Sequence, residues 1–321
     1  MNAFLAWLWS VLAVLGSGAD RVMRLSGTPQ GITAVGSDYW VVSCIDPAGV
    51  FLLDRSNWTV SEYPGVFREP HGTGLLGGEP LVCDSGADRL HVGLPGASRA
   101  VDLPGGPFAV TTTDWSGNGE RTAVVTLRDS ARVVLVTEFG MVVLAAVQGA
   151  RVVAATDTDG DGSDELLVAC CGTGLHLVVN PEDGGEPIVR RIGVLGDGVK
   201  AVVPLDMDDD GDPDAVGIAC SEGGVCWWEN PGPTGSEWSR HDLDPGVSGP
   251  KSIAVSGERI LVAALVSPSV LYGPGGIRLL PPGCTACAFD DDGAFVLGHR
   301  AGLIMEYSTP AGLTGMRHLS L

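Results

Sequence analysis

Lysine is nearly absent from this chain of 321 residues: Lys200 and Lys251 are the only two among 19 basic residues. Against these stand 39 acidic residues, which give a formal net charge of −20. No segment concentrates positive charge into a stripe. We therefore expect no nucleic-acid partner, because binding a phosphate backbone needs a basic surface.

Amphipathic helical periodicity is also missing after residue 20. The chain has 47 glycines and 21 prolines but is still 45% hydrophobic, which excludes both a collagen-like and a disordered chain. Its apolar residues form short Val, Leu and Ile runs bounded by Gly, Pro, Asp or Asn. This pattern predicts an all-β fold of many short strands joined by tight turns.

Catalytic motifs are likewise absent, and we predict no catalytic residue. The sequence contains no Gly-x-Ser-x-Gly elbow, phosphate-binding loop or dinucleotide fingerprint. The six histidines show no metal-ligand spacing; they stand at positions 71, 91, 176, 241, 299 and 318. An enzyme is therefore only an alternative hypothesis.

The N-terminal segment is an apolar run over residues 3–16, followed by small residues. At 14 residues the run is shorter than the roughly 20 that a membrane span needs. We predict that residues 1–19 are a signal peptide or an N-terminal anchor. No Lys or Arg precedes the run, so a segment packed on the domain is the alternative. The sequon at Asn57 is compatible with export.

Eight cysteines permit disulfide bonds in an exported chain. Cys220 and Cys226 flank a five-residue segment and are the best predicted pair, with burial as apolar side chains the alternative. Cys284 and Cys287 form a Cys-x-x-Cys motif, but no second motif accompanies it. We expect them to point to opposite faces of a strand, which disfavours a zinc or redox site.

A repeat of four short strands recurs along residues 20–321. The ends of the first strands align at seven positions that lie 34 to 50 residues apart: Gly36, Gly78, Asp114, Asp157, Asp206, Ser256 and Asp290. Such a period is typical of β-propeller blades. We predict one seven-bladed β-propeller with four-stranded antiparallel blades, although weaker copies leave six or eight open. Either residues 21–25 or 316–319 supply the strand that closes the ring.

Two acidic loops carry the clearest chemical signal. Both place carboxylates at positions 1, 3, 5 and 9 and glycine at position 6, where the chain must reverse. The predicted ligands are Asp157, Asp159, Asp161 and Glu165 in loop one, and Asp206, Asp208, Asp210 and Asp214 in loop two. The backbone carbonyls of Ser163 and Asp212 are further candidate ligands.

The donor set predicts Ca²⁺. Several carboxylate oxygens at flexible geometry suit this ion, whereas Mg²⁺ demands a tighter octahedron and neither loop offers His or Cys for zinc. Two like charges 4 Å apart repel by about 4 kcal/mol at an effective dielectric near 20, so concentrated carboxylates favour a cation. An EF-hand is excluded because position 12 is Val168 or Gly217. A solvated acidic turn is the alternative.

A third loop is a weaker copy. Asp114, Ser116 and Asn118, with Thr122 at position 9, keep the oxygen atoms but only one charge. Side-chain hydrogen bonds within the turn are the favoured interpretation, and weak metal binding is the alternative. The turn at Asp290 is shorter still.

These loops, each opening a four-stranded repeat, resemble the FG-GAP/VCBS repeats of integrin-like β-propellers. The stretch from Gly224 to Gly232 and the following Trp238–His241 segment resemble the later strands of some VCBS repeats. The match is specific over residues 108–245. It implies a β-propeller, placement outside the cell or on its surface, and loop carboxylates as Ca²⁺ ligands on one rim.

The resulting hypothesis is a non-catalytic, secreted or cell-surface interaction module that is stabilised by at least two Ca²⁺ ions and binds a protein or carbohydrate. A structural subunit of a surface assembly, held by the N-terminal segment, is one alternative. A polysaccharide lyase or hydrolase on the same scaffold is the other, because fold alone does not decide activity. Tryptophans could form a carbohydrate platform, but packing between blades is favoured; they are Trp40, Trp58, Trp227, Trp228 and Trp238.

Overall fold

The computed structural model describes residues 18–95, 97–138, 140–181, 185–219, 223–232, 237–244, 246–274 and 276–308. Over these ranges the chain forms strands and one short 3₁₀ turn, Ser85–Ala87. No helix in the described ranges has the length and apolar character to cross a membrane. The predicted signal peptide or anchor over residues 1–19 falls almost wholly outside them.

The strands fall into seven groups of four. After β1 (Arg21–Arg24), the first group holds β2 (Thr28–Val35), β3 (Tyr39–Ile45), β4 (Gly49–Asp54) and β5 (Thr59–Glu62). The second holds β6 (Pro70–Leu76), β7 (Glu79–Asp84), β8 (Arg89–Val92) and β9 (Arg99–Asp102). The third holds β10 (Pro107–Thr113), β11 (Thr122–Leu127), β12 (Arg132–Thr137) and β13 (Gly140–Ala146).

The remaining groups follow the same order. The fourth holds β14 (Ala150–Thr156), β15 (Glu165–Cys170), β16 (Gly174–Val179) and β17 (Ile188–Gly193). The fifth holds β18 (Val199–Leu205), β19 (Asp214–Ala219), β20 (Val225–Glu229) and β21 (Ser239–Asp244). The sixth holds β22 (Pro250–Ser256), β23 (Arg259–Ala264), β24 (Ser269–Gly273) and β25 (Gly276–Leu280), and the seventh holds β26 (Cys284–Phe289), β27 (Phe295–His299) and β28 (Leu303–Tyr307).

The chain closes on itself through β1. Each group is one antiparallel sheet, and β1 pairs with β28 as the fourth strand of the seventh sheet. The first strands of consecutive sheets contact one another in sequence, and β2 contacts β26. The fold is therefore a ring of seven four-stranded blades, as predicted. Residues 21–24 supply the closing strand, and residues 316–319 lie outside the described part of the chain.

Seven buried apolar clusters hold the ring together, and each lies between two neighbouring blades. The cluster that contains Trp40 and Ile304, for example, joins the first blade to the seventh. Trp228 faces the fourth blade and Trp227 faces the sixth, which confirms that these adjacent rings occupy opposite faces of their strand. A blade thus buries both faces only because a neighbour stands on each side.

Two cysteines hold equivalent places in the second strands of their blades. Cys44 pairs with Pro29, just before a bulge, and in the fourth blade Cys170 holds the equivalent position opposite Ala150. Cys226 is a buried free thiol, and Cys220, its predicted partner, lies outside the described residues.

The Cys-x-x-Cys motif also differs from expectation. A bulge between Cys284 and Ala286 shifts the strand alternation, so Cys284 and Cys287 enter the same apolar cluster. Burial raises the pKa of Cys284 to about 12 and that of Cys287 to about 11. Both thiols are therefore neutral, buried side chains.

A buried arginine joins the last blade to the first. Arg55, which follows β4, lies 2.5 Å from Asp290 Oδ2 and 3.1 Å from Glu306 Oε1. Trp40 Nε1 donates to the same Glu306 oxygen at 3.2 Å. The Asp290 and Glu306 side chains are 1% and 9% exposed, so Arg55 compensates two carboxylates that water does not reach.

We predict that Arg55→Met lowers the free energy of unfolding by about 3 kcal/mol, because it leaves two carboxylates buried without a cation. Chemical unfolding of the purified protein measures this. Arg89→Met is the matched control: its partner Asp102 is 80% exposed, and we expect a change below about 1 kcal/mol. Equal losses in the two variants would contradict the interpretation.

Candidate metal centre

Each acidic loop joins the first strand of a blade to the second strand of the same blade, and the two blades are neighbours. Loop one (157–164) lies between β14 and β15, and loop two (206–213) lies between β18 and β19. Position 9 of each motif, Glu165 or Asp214, is the first residue of the second strand. Gly162 and Gly211, at position 6, have φ of +94° and +98°. A side chain is rarely tolerated there, which explains the glycine in both copies.

Loop one brings three of its four predicted carboxylates together. Ligand oxygens of Asp157, Asp159 and Glu165 all lie within 4.8 Å of one another. Asp161 is outside this group, and its Oδ1 accepts the N–H of Ser163 at 2.6 Å. Asp157 accepts the N–H groups of Gly160 and Gly162, so the turn itself holds the first carboxylate in place.

Glu165 is the least solvated carboxylate of loop one. The residue is 1% exposed; its Oε2 accepts the N–H and hydroxyl of Thr158 at 2.9 and 2.8 Å. Its Oε1 is buried, and no residue in the described part of the chain donates a hydrogen bond to it. Burial raises the pKa of this carboxyl to about 7, and the nearby Asp159 and Asp161 charges add to the effect. Burial and Asp161 also raise the pKa of Asp159.

Loop two assembles a different trio. Oxygens of Asp206, Asp208 and Asp210 lie within 4.8 Å of one another. Asp206 Oδ1 is buried, and none of the residues that the structure describes donates to it. Burial and the Asp210 charge raise the pKa of Asp208. Asp214, the fourth predicted ligand, is outside this group.

Asp214 instead fixes the loop. Its Oδ2 accepts the N–H of Met207 at 2.8 Å, and its Oδ1 accepts the N–H of Asn230 at 2.7 Å. The Asn230 amide then donates to Thr158 O at 2.7 Å and to Pro213 O at 3.2 Å. Asn230 thus connects the two acidic loops across the interface between the fourth and fifth blades.

The third loop is closed by its own hydrogen bonds. Asp114 accepts the N–H groups of Asn118 and Gly119, and Asn118 Oδ1 accepts that of Glu120. With Ser116 and Thr122 uncharged, the loop offers one carboxylate among the predicted positions. Arg121 Nη2 lies 3.4 Å from Asp164 Oδ2, so a cationic side chain already stands between this loop and loop one.

The two trios fit a hard divalent cation. Each collects three carboxylates, and each contains a buried oxygen that no donor within the described residues satisfies. A buried acceptor of this kind costs about 1–3 kcal/mol unless a ligand or cation satisfies it. Neither trio contains a nitrogen or sulfur ligand, which favours Ca²⁺ over zinc. The carbonyls of Ser163 and Asp212 remain predicted ligands.

Sequence reasoning missed the residues that connect the loops. Thr158 and Asn230 are uncharged, and no spacing rule singles them out. Asn180 shows that the arrangement repeats: it follows β16 as Asn230 follows β20, and its amide donates to Trp115 O. Trp115 and Thr158 both hold position 2 of the loop in the preceding blade. An asparagine directly after the third strand was the available signal.

We predict that the metal-free protein becomes less stable as pH rises from about 4.5 to 7. Glu165 has its pKa raised to about 7 and Asp214 to about 6, so within this window the folded chain binds more protons than the unfolded chain. The free energy of unfolding must therefore fall with pH and level off above 7.

Urea unfolding in EDTA at pH 5 and pH 7.5 measures the effect. Glu165→Gln removes its own share, about 2–3 kcal/mol from the shift of its pKa, and flattens the dependence. Asp102→Asn, at a surface pair, leaves the slope as in the original protein. An unchanged slope in Glu165→Gln would refute the assignment of a buried, raised carboxyl.

Comparisons with known proteins agree with this geometry. Residues 157–217, which contain both acidic loops, match the family model of an FG-GAP-like repeat. No match was found among curated protein sequences.

Solved structures match the ring. A streptogramin B lyase superposes with a TM-score of 0.68 at 13% identity, over 89% of this chain and 97% of that chain. Virginiamycin B lyase from Staphylococcus aureus gives 0.66 at 13%, over 89% and 98%. The WD40 β-propeller domain of Doa1 gives 0.70 at 13%, over 92% and 98%. At this identity the likeness shows the fold alone, and the chain is a seven-bladed β-propeller with an FG-GAP-like repeat at residues 157–217.

Proposed function

We propose that the protein is a non-catalytic, calcium-stabilised β-propeller that serves outside the cell or on its surface as an interaction module for a protein or a glycan. The observation that carries the calcium assignment is Glu165 Oε1, a buried oxygen without a donor that belongs to a trio of carboxylates.

Calcium would stabilise the loops at the rim of the ring and would take no part in a chemical reaction. Binding to the folded state alone stabilises it by about 2.7 kcal/mol at a hundredfold excess over Kd. Millimolar affinity is sufficient outside cells. Because Asn230 joins the two loops, ordering one loop also restrains its neighbour.

A cavity beside loop one supports an interaction role. It has a volume of about 460 Å³, and its wall combines an aromatic ring with polar and charged groups from the fourth and fifth blades. The groups that a glycan would contact are Trp238, Asn230, Arg190 and Glu237. Sugar rings bind such surfaces by stacking on the aromatic side chain and hydrogen bonding to the polar groups.

A lyase or hydrolase is the second candidate, and one observation favours it. His71 Nε2 lies 3.1 Å from Glu69 Oε1, and Arg128 Nη1 lies 3.7 Å from the same oxygen. A histidine, a carboxylate and an arginine thus meet near the start of β6, the first strand of the second blade. However, burial lowers the pKa of His71 and Phe108 packs on its ring, which suits a structural group better than a proton donor.

Calorimetric titration with CaCl₂ after EDTA treatment tests the calcium sites. We expect two ions per chain and a melting temperature raised by about 5 °C or more at saturation. Asp157→Asn with Glu165→Gln, and separately Asp206→Asn with Asp208→Asn, each leave one ion bound.

Asp102→Asn with Asp242→Asn is the matched control, since it removes two carboxylates that are 80% and 60% exposed. This variant keeps both ions. A protein whose melting curve does not respond to EDTA or Ca²⁺ contradicts the calcium assignment. Retention of two ions by both loop variants places the sites elsewhere.

Export predicts a defined new N-terminus. Expressed with its native leader in a secreting host, the chain would appear in the medium with a first residue near Asp20. N-terminal sequencing measures this. A mature chain that keeps residues 1–16 and stays with the membrane supports the anchored structural subunit instead.

A further inference from the structure

The first strand of each blade is the innermost, because the first strands of neighbouring blades contact one another around the ring. Each of these seven strands carries a β-bulge near its start. The register shifts at one equivalent place in β2, β6, β10, β14, β18, β22 and β26. The first extra residue at each shift defines a set that we call the bulge ring: Gln30, His71, Phe108, Arg151, Lys200, Lys251 and Thr285.

The composition of the bulge ring is opposite to that of the chain. The chain has 39 acidic and 19 basic residues, yet the ring has no acidic residue and contains both lysines of the sequence. Arg151, Lys200 and Lys251 occupy consecutive blades. Each of the three residues is partly exposed.

Contacts show that members of the ring meet one another. The Phe108 ring lies 4.5 Å from the ring of His71, measured between centroids, and 5.1 Å from the guanidinium of Arg151. Arg128, from the turn after β11, lies 5.3 Å from the same ring. Side chains from three consecutive blades therefore converge at one mouth of the channel.

The bulge ring lies at the opposite end of the channel from the acidic loops. Each innermost strand runs from its bulge to the loop that joins it to the second strand. Hydroxyl groups of neighbouring blades hold the bulges at one level: Thr285 donates to Pro29 O and Thr126 donates to Arg151 O, both at 2.6 Å. The bulges are thus held at one level, at the far end of the innermost strands from the acidic loops.

We propose that this mouth of the channel binds a compact polyanion, a small molecule that carries several phosphate or sulfate ester groups. Arg151, Lys200 and Lys251 would contact the anionic groups, and Arg128 would extend the arc. Charge-assisted hydrogen bonds from several fixed cations favour clustered oxyanions over a single carboxylate. Glu69 offsets part of the charge at His71 and Arg128.

This inference deepens the proposed interaction role and rests on it, but it does not depend on calcium. The calcium sites and the polyanion site can therefore be tested separately, because they lie on opposite faces of the ring. Loss of calcium binding with retained polyanion binding would remove the metal assignment alone, and the reverse result would remove the present proposal alone.

Titration with sucrose octasulfate, with neutral sucrose as the control ligand, tests the site in 1 mM CaCl₂. Inositol hexakisphosphate, used on EDTA-treated protein, distinguishes phosphate from sulfate esters. We expect the anions to bind and sucrose not to bind. Lys200→Gln with Lys251→Gln weakens binding by at least about tenfold, since each lost charged hydrogen bond contributes about a factor of ten.

Arg99→Gln with Arg240→Gln is the matched control, because it removes two exposed cations from β9 and β21, the outermost strands of the second and fifth blades. We expect less than a twofold change. Equal weakening in the two variants would show diffuse attraction to any basic surface and overturn the proposal, as would equal binding of sucrose.

A measurement on the unmodified protein guards against a variant that fails to fold. Only two lysines exist, so amine acetylation read by mass spectrometry reports on Lys200 and Lys251 directly. Octasulfate is expected to slow acetylation of both at least fivefold. Unchanged rates at a saturating octasulfate concentration would refute the site.

Discussion

The structure depends on compensating the negative charge of the loop between the first and second strands of a blade, wherever that loop is acidic. Like charges in a partly buried turn repel strongly, so each such turn needs a cation. The last blade meets this need with Arg55, which reaches Asp290 from the first blade. Arg121 of the third blade pairs with Asp164, the last residue of loop one. In the described part of the chain neither trio of carboxylates has an arginine in an ion pair, and there a bound divalent ion would take the same place.

The asparagine after the third strand explains how compensation in one blade affects the next. Asn180 and Asn230 each donate to position 2 of the preceding blade's loop. Asp164 also accepts the N–H of Asp114 at 2.7 Å, which couples the third and fourth blades again. A cation in loop one would therefore stabilise a chain of loops over three blades, and the cost of losing it would exceed that of one isolated turn.

The sequence predicted the ring well and the site less completely. The number and order of the blades were predicted from the sequence repeat, because an error of one residue in aligning its copies does not change how many copies there are. Finer details needed three dimensions: the bulge at Thr285 brings Cys284 and Cys287 into the same apolar cluster, although they were expected on opposite faces of the strand. Position 9 was predicted to be a metal ligand in both loops. Glu165 does join the trio of loop one, whereas Asp214 lies outside the trio of loop two and accepts two backbone N–H groups. Spacing alone does not reveal which donors are available to occupy a carboxylate.

The bulges link the two faces of the ring. An extra residue at the start of each innermost strand displaces one side chain from the ladder, and the register recovers before the strand reaches its acidic loop. Residues at the bulge therefore stand outside the regular alternation of the strand, and their side chains differ from blade to blade. In a chain with a net charge of −20, basic residues at this position in three consecutive blades run against the overall composition, and the proposed anionic ligand would give a reason for that contrast.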